Sequence, residues 1–231
     1  MKRPGLHGVA KLKKRNKISK ERAASPSNFF NRALGHGLRA LSAGHTRFTE
    51  EDAALLRGLG SLPERGFRVI RAVARRCPHG FPQVLCCSPL MRGLPFPTAY
   101  WLVCPHLMRT IGGIEGENGV AYAQDAMRGD AYALYAYHRL HALIRLGMLR
   151  GAQKIFLRRY RKSLYRALAR GGVGGIAYRF GEIHAKCVHL HAASYLALGF
   201  HPAARFLEER IGAWFCREGS CFSNTKEEAV Q

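Results

Sequence analysis

Alternation is the first pattern along the chain. Over 67–76, Phe67, Val69, Arg71 and Val73 fall on one side and Arg68, Ile70, Ala72 and Ala74 on the other, so the run predicts a strand. Two further apolar runs, 83–88 and 98–104, predict a second and a third strand, and Pro78-His79-Gly80 supplies a turn between the first two. The connections are short, which favours an antiparallel meander. Its first and third strands then run in the same direction and end at one edge of the sheet.

Beyond the third strand the period changes. Pro105 suits the first position of a helix continuing through Leu107, Met108 and Ile111. Helical spacing then recurs over 120–127, 130–149, 152–170, 183–199 and 202–216, punctuated by Gly129, Gly151, the glycines at 171–175 and His201-Pro202. Ahead of the strands, Thr49 followed by Glu50, Glu51 and Asp52 reads as an N-cap with an acidic first turn, for a helix to about Gly60. Phe29, Phe30, Leu34, Leu38 and Leu41 mark a short helix before Gly44. Strands early and helices late predict an α+β fold: a small antiparallel sheet of three strands against a mostly helical C-terminal half. The expected division is a basic, largely disordered arm over 1–46, a single domain over 47–215 and a flexible tail over 216–231.

Charge changes the picture. The 231 residues carry 37 Lys and Arg against 15 Asp and Glu, a formal net charge of +22, with a pI near 10.4. Such a surplus attracts polyanions, and RNA or polyphosphate is the partner class it predicts. The basic residues concentrate in the first 28 positions and again on 152–170, where Arg158, Arg159, Arg161, Lys162 and Arg166 are the candidate phosphate contacts. The tyrosines at 122, 132, 135 and 137 read as a packed stripe before they read as a base-stacking one. Prolines interrupt the longest weakly charged run, 77–108, so no spanning helix forms there, and the lysine-rich start lacks the apolar stretch of a secretory signal. Seven cysteines without regular spacing point to a reducing, cytoplasmic setting with thiols that are free or bound to metal. Cys86 and Cys87, inside an apolar run, read as small buried side chains.

Four segments stand out: Arg-Arg-Cys-Pro-His-Gly at 75–80, PFPTAYWLVCP at 95–105, GGVGGI at 171–176 and KCVHLH at 186–191. Their arrangement at 74–84, 95–105, 174–176 and 186–189 resembles the bacterial family of unknown function known as DUF501, over about residues 49–200. Val103 stands where that pattern has threonine, and extra residues separate Ile176 from Lys186. The resemblance implies kinship and carries no activity with it.

Cys77 and Cys104 close the first and third strands, and Cys187 comes from a later segment. Zinc takes four ligands from cysteine and histidine, so Cys77, Cys104, Cys187 and one histidine form a candidate metal set. A helix running through 183–199 would put Cys187 and His191 on one face; a helix starting at Lys186 or later would let Cys187 and His189 face the site, as the family pattern favours. Both histidines stay open. Cys216 and Cys221 are a second, weaker metal pair. The enzymatic alternative is a metal-assisted hydrolase or a nucleophilic Cys104, placed before a helix N-terminus with His106, His189 or His191 as base. Gly171, Gly172, Gly174 and Gly175 would let backbone approach a phosphate, but the lysine and hydroxyl of a nucleotide loop are missing; a hinge after the preceding helix is the plainer reading.

Overall fold

The computed structural model describes residues 44–217 and residue 219. The expected arm, apart from its last few residues, the helix predicted over 29–41 and Cys221 lie outside the described residues.

The fold is α+β. Strands β1 (Ile70–Arg76), β2 (Pro82–Cys87) and β5 (Tyr100–Leu102) form an antiparallel sheet in the order β1-β2-β5. Between β2 and β5 lies a hairpin that the sequence pattern does not announce: β3 (Leu90–Met91) and β4 (Leu94–Pro95), turned by Arg92 and Gly93 at φ 50° and 77°. Nine helices complete the described residues: α1 (Glu50–Gly58), α2 (Glu64–Phe67), α3 (Pro105–Gly116), α4 (Gly119–Arg128), α5 (Ala131–Gly147), α6 (Gly151–Tyr160), α7 (Lys162–Arg170), α8 (Val188–Leu198) and α9 (Ala204–Ile211). None is long and apolar enough to cross a membrane.

Strand β2 is buried along its whole length, and its alternation divides two cores. Val84 and Cys86 face the larger one, built with α3, α5, α8 and α9; Leu85 and Cys87 face a smaller one closed by Leu56 of α1 and Leu62. Burial pushes the Cys86 thiol up to about 12 and the Cys87 thiol higher still, the behaviour of inert core residues. Helix α1 begins with the predicted N-cap at Thr49, which forms a capping box with Asp52. Asp52 also takes both terminal nitrogens of Arg76 at 2.7 Å, fixing α1 to the end of β1. Burial works to raise the Asp52 pKa, but the hydrogen bonds and charge of Arg76 hold it below the ordinary carboxylate value.

Three predicted helices differ from the structure, and the one read over 202–216 ends already at Ile211, where Gly212 takes φ 64°. The run 152–170 is broken at Arg161 (φ −130°, ψ 54°), so that α6 and α7 fold against each other around Leu157, Leu164 and Leu168. The stretch 183–187 is irregular, and α8 starts only at Val188. Apolar residues surround α8 almost uniformly, which fits a helix buried between β5, β2, α3 and the glycine segment.

Candidate active site

Cys187 is the N-cap of α8, extended at φ −162° and ψ 155°, and its side chain makes no cap hydrogen bond. The orphan donors of the first turn are met from outside. Glu115, in the last turn of α3, accepts at Oε1 from the backbone N–H groups of Val188 and His189. The same oxygen lies 3.0 Å from Nδ1 of His189, whose Nε2 lies 3.3 Å from the carbonyl oxygen of Met108. Carboxylates and carbonyls only accept, so both ring nitrogens donate and His189 is an imidazolium. Its pKa is raised to about 9, first by a hydrogen bond with Cys187 and then, against burial, by the Glu115 charge and the Met108 carbonyl.

The ligating atoms of Glu115, Cys187 and His189 all lie within 4.8 Å of one another. Cys187 and His189 also line a cavity of about 300 Å³ with Phe96, Thr98, Tyr100, Trp101, Leu102, Met108 and Leu190. The PFPT and KCVH segments therefore meet at one apolar pocket with an ionic rim.

Of the other candidate residues, His191 points away from this pocket, because two residues along a helix is about half a turn. It lies in a buried group with His138, His141 and His201. His201 accepts at Nδ1 from Ala203 N and so donates from Nε2 to His191 Nδ1 at 2.9 Å. Burial lowers the pKa of His191 to about 4 and of His138 to about 3, and holds His141 and His201 well below the usual value.

Cys77 follows β1 and Cys104 follows β5, at one end of the sheet on either side of β2; among the described residues they belong to no group of three potential ligands within 4.8 Å of one another. Cys104 is 5% exposed; burial raises its thiol pKa, against the lowering influence of the backbone N–H groups of Leu107 and His106. The His106 ring is engaged with the carbonyl of Ala213 at 3.0 Å.

The glycine segment is a packing element. Gly171 and Gly172 carbonyls accept from Arg145, and a Cβ at Gly172 would overlap the His138 ring, one at Gly174 Leu190, and one at Gly175 Pro97. Arg158, Arg159, Arg161, Lys162 and Arg166 are all exposed on α6, α7 and the break between them.

Glu115 escaped the sequence reading. Its signal was faint: it stands seven residues after Met108, on the same side of α3, in a chain poor in acids.

A family model described as a protein of unknown function, DUF501, matches residues 73–209, more than half of the chain. The chain belongs to the DUF501 family. The matched region contains the DUF501 motifs that build the pocket, and Glu115 besides. No curated protein and no solved structure matches the chain.

Proposed function

We propose that this DUF501 protein performs nucleophilic thiol chemistry at Cys187, with His189 as the acid–base partner and Glu115 as the group that orients it. The observation that carries this reading is the His189 ring held between Cys187 and Glu115 at the mouth of an apolar cavity. A nucleophile, a base within reach and a third group fixing the base is the arrangement such chemistry needs. A helix N-terminus beside an imidazole is a setting in which thiol nucleophiles act. The nucleophile thereby moves from Cys104, which is buried, to Cys187, which is partly exposed. Metal ligation by His189 would require it to lose a proton and one of its ring's present hydrogen bonds.

The cavity is lined mainly by Phe96, Tyr100, Trp101, Leu102, Met108 and Leu190, so the substrate class it suits is an apolar acyl ester or thioester. The thiolate would attack the acyl carbon, forming a carbon–sulfur bond as the bond to the leaving oxygen or sulfur breaks, and the His189 proton would pass to the leaving group. Neutral His189 would then take a proton from water as it attacks the acyl-enzyme, releasing the acid and restoring the ion pair. The test is mass spectrometry of the full chain incubated with nitrophenyl esters of increasing chain length. An acyl adduct on Cys187 that is lost in Glu115→Gln and His189→Gln supports the reading. An adduct distributed over other cysteines, or none, removes it.

A second reading concerns partners. Among the described residues no carboxylate lies within 4 Å of Arg158, Arg159, Arg161, Lys162 or Arg166, and Phe156 and Tyr160 are exposed beside them at 53% and 64%. Unneutralised cations interleaved with aromatic rings support binding of RNA or polyphosphate. Filter binding across a salt series is expected to give a linear log–log decline, with a shallower slope after Arg158→Gln and Arg161→Gln; a slope that does not change dismisses this face.

A further inference from the structure

The glycine segment turns the chain back on itself. Gly172 N donates to the carbonyl of Ile176 at 2.7 Å, and Gly171 and Ala177 form an antiparallel bridge around the turn at 173–175. Gly174 and Gly175 allow that turn at φ 56° and 81°. Arg170 and Tyr178, the residues just outside the bridge, are thereby brought level with each other. Both border α5 along the stripe that carries Tyr135, Arg139, Ala142 and Leu146. Together these residues line a cavity of about 380 Å³, within the size range of small-molecule sites.

The wall of this cavity is polarised in one sense. It carries two guanidinium groups and two phenols, all able to donate hydrogen bonds, and no carboxylate lines it. Among the described residues neither Arg139 nor Arg170 has a carboxylate within 4 Å. The carbonyls at the end of α7 would repel an anion, but Arg145 takes up those of Leu168, Gly171 and Gly172 from the buried side.

The rings are positioned by the fold itself. Tyr178 stacks on His138, with centroids 4.9 Å apart and planes 20° from parallel. His138 is buried, and its Nδ1 accepts from Val173 N at 3.1 Å, which fixes the backing ring. Tyr135 meets Tyr178 edge to face with centroids 5.4 Å apart.

We propose that this cleft between α5 and α7 binds a nucleoside phosphate, with the phosphate on Arg139 and Arg170 and the base against the rings of Tyr135 and Tyr178. Guanidinium groups match phosphate oxygens in charge and geometry, and an aromatic wall accepts any base. A free nucleotide and the phosphorylated end of an RNA chain present this same unit.

The test uses the full chain and isothermal titration calorimetry with adenosine monophosphate and uridine monophosphate at physiological salt. Both nucleotides are expected to bind, with adenosine and inorganic phosphate each at least about tenfold weaker. Arg139→Gln and Arg170→Gln alter exposed side chains and should keep the circular dichroism spectrum while weakening nucleotide binding at least about tenfold. Tyr135→Leu, which keeps both cations, should weaken it as well. Arg158→Gln, on α6, should leave it as it was. A terminally phosphorylated oligoribonucleotide that binds more tightly than the mononucleotide makes an RNA end the occupant, and one that binds more weakly makes it a free nucleotide. Absence of nucleotide binding, inorganic phosphate binding as tightly as the nucleotides, full affinity in Tyr135→Leu, or equal losses in Arg158→Gln and Arg139→Gln would each overturn the assignment.

Discussion

Arg145, on α5, donates from Nη1 to the carbonyl of Pro97 at 3.1 Å and from the same atom to that of Gly172 at 2.7 Å. This side chain is wholly buried without a carboxylate partner among the described residues, and its other nitrogens reach the carbonyls of Leu168 and Gly171. Burial lowers its pKa to about 10, so it remains charged at ordinary pH. One cation thereby joins the PFPT segment that lines the pocket to the glycine segment behind it. Arg145→Leu would leave several buried carbonyls unpaired, each costing about 1–3 kcal/mol. The variant is expected to lose at least about 3 kcal/mol in urea unfolding, with the selectivity of Cys187 acylation falling alongside.

Acid should destabilise this protein early. His138, His141, His191 and His201 are buried neutral, with pKa values depressed chiefly by burial. Near pH 5 the unfolded chain binds their protons and the folded chain does not, so stability is full above about pH 6.5 and falls as pH drops towards 4. Each contributes a slope of about 1.4 kcal/mol per pH unit in that window, and the four together about 5. Urea midpoints between pH 7 and pH 4.5 measure the slope; a flat profile would mean these rings are protonated in the fold.

Alkali acts on His189 with the opposite sign. Its pKa is raised to about 9, so its contribution is complete below about pH 6.5 and is lost as pH rises through 9. After allowance for its partial exposure the loss is about 1–2 kcal/mol. Nuclear magnetic resonance titration of the ring should give a midpoint near 9 that moves down in Glu115→Gln; a midpoint near 6.5 in the unsubstituted protein would refute the ion pair.

The glycine segment should tolerate little. Gly175 holds φ 81° with Pro97 Cβ 2.5 Å from where its own Cβ would lie, and Gly172 abuts the His138 ring. Gly175→Ala and Gly172→Ala are expected to lower the thermal midpoint by several degrees, since backbone and ring must both shift. Gly151→Ala, where a Cβ meets nothing within 4 Å, is the comparison that should stay close to the parent.

The sequence by itself determined the local matters. Alternation placed the first strand and apolar runs the other two to within a few residues, Thr49 with its acidic followers placed the capped first helix, and Cys86 and Cys87 in an apolar run were read as core. These follow from neighbours along the chain, whose period or capping chemistry is written in order. Tertiary structure decided the rest. Whether Cys187 faced His189 or His191 depended on where α8 begins, and that start is fixed by Glu115, an acid 73 residues earlier that reaches the first-turn N–H groups of α8. The stretch 213–216 is held at the end of the sheet by hydrogen bonds from His79, Gln83 and His106 to main-chain carbonyls. A carbonyl is the same at every residue, so a bond made to it leaves no mark in the amino-acid order.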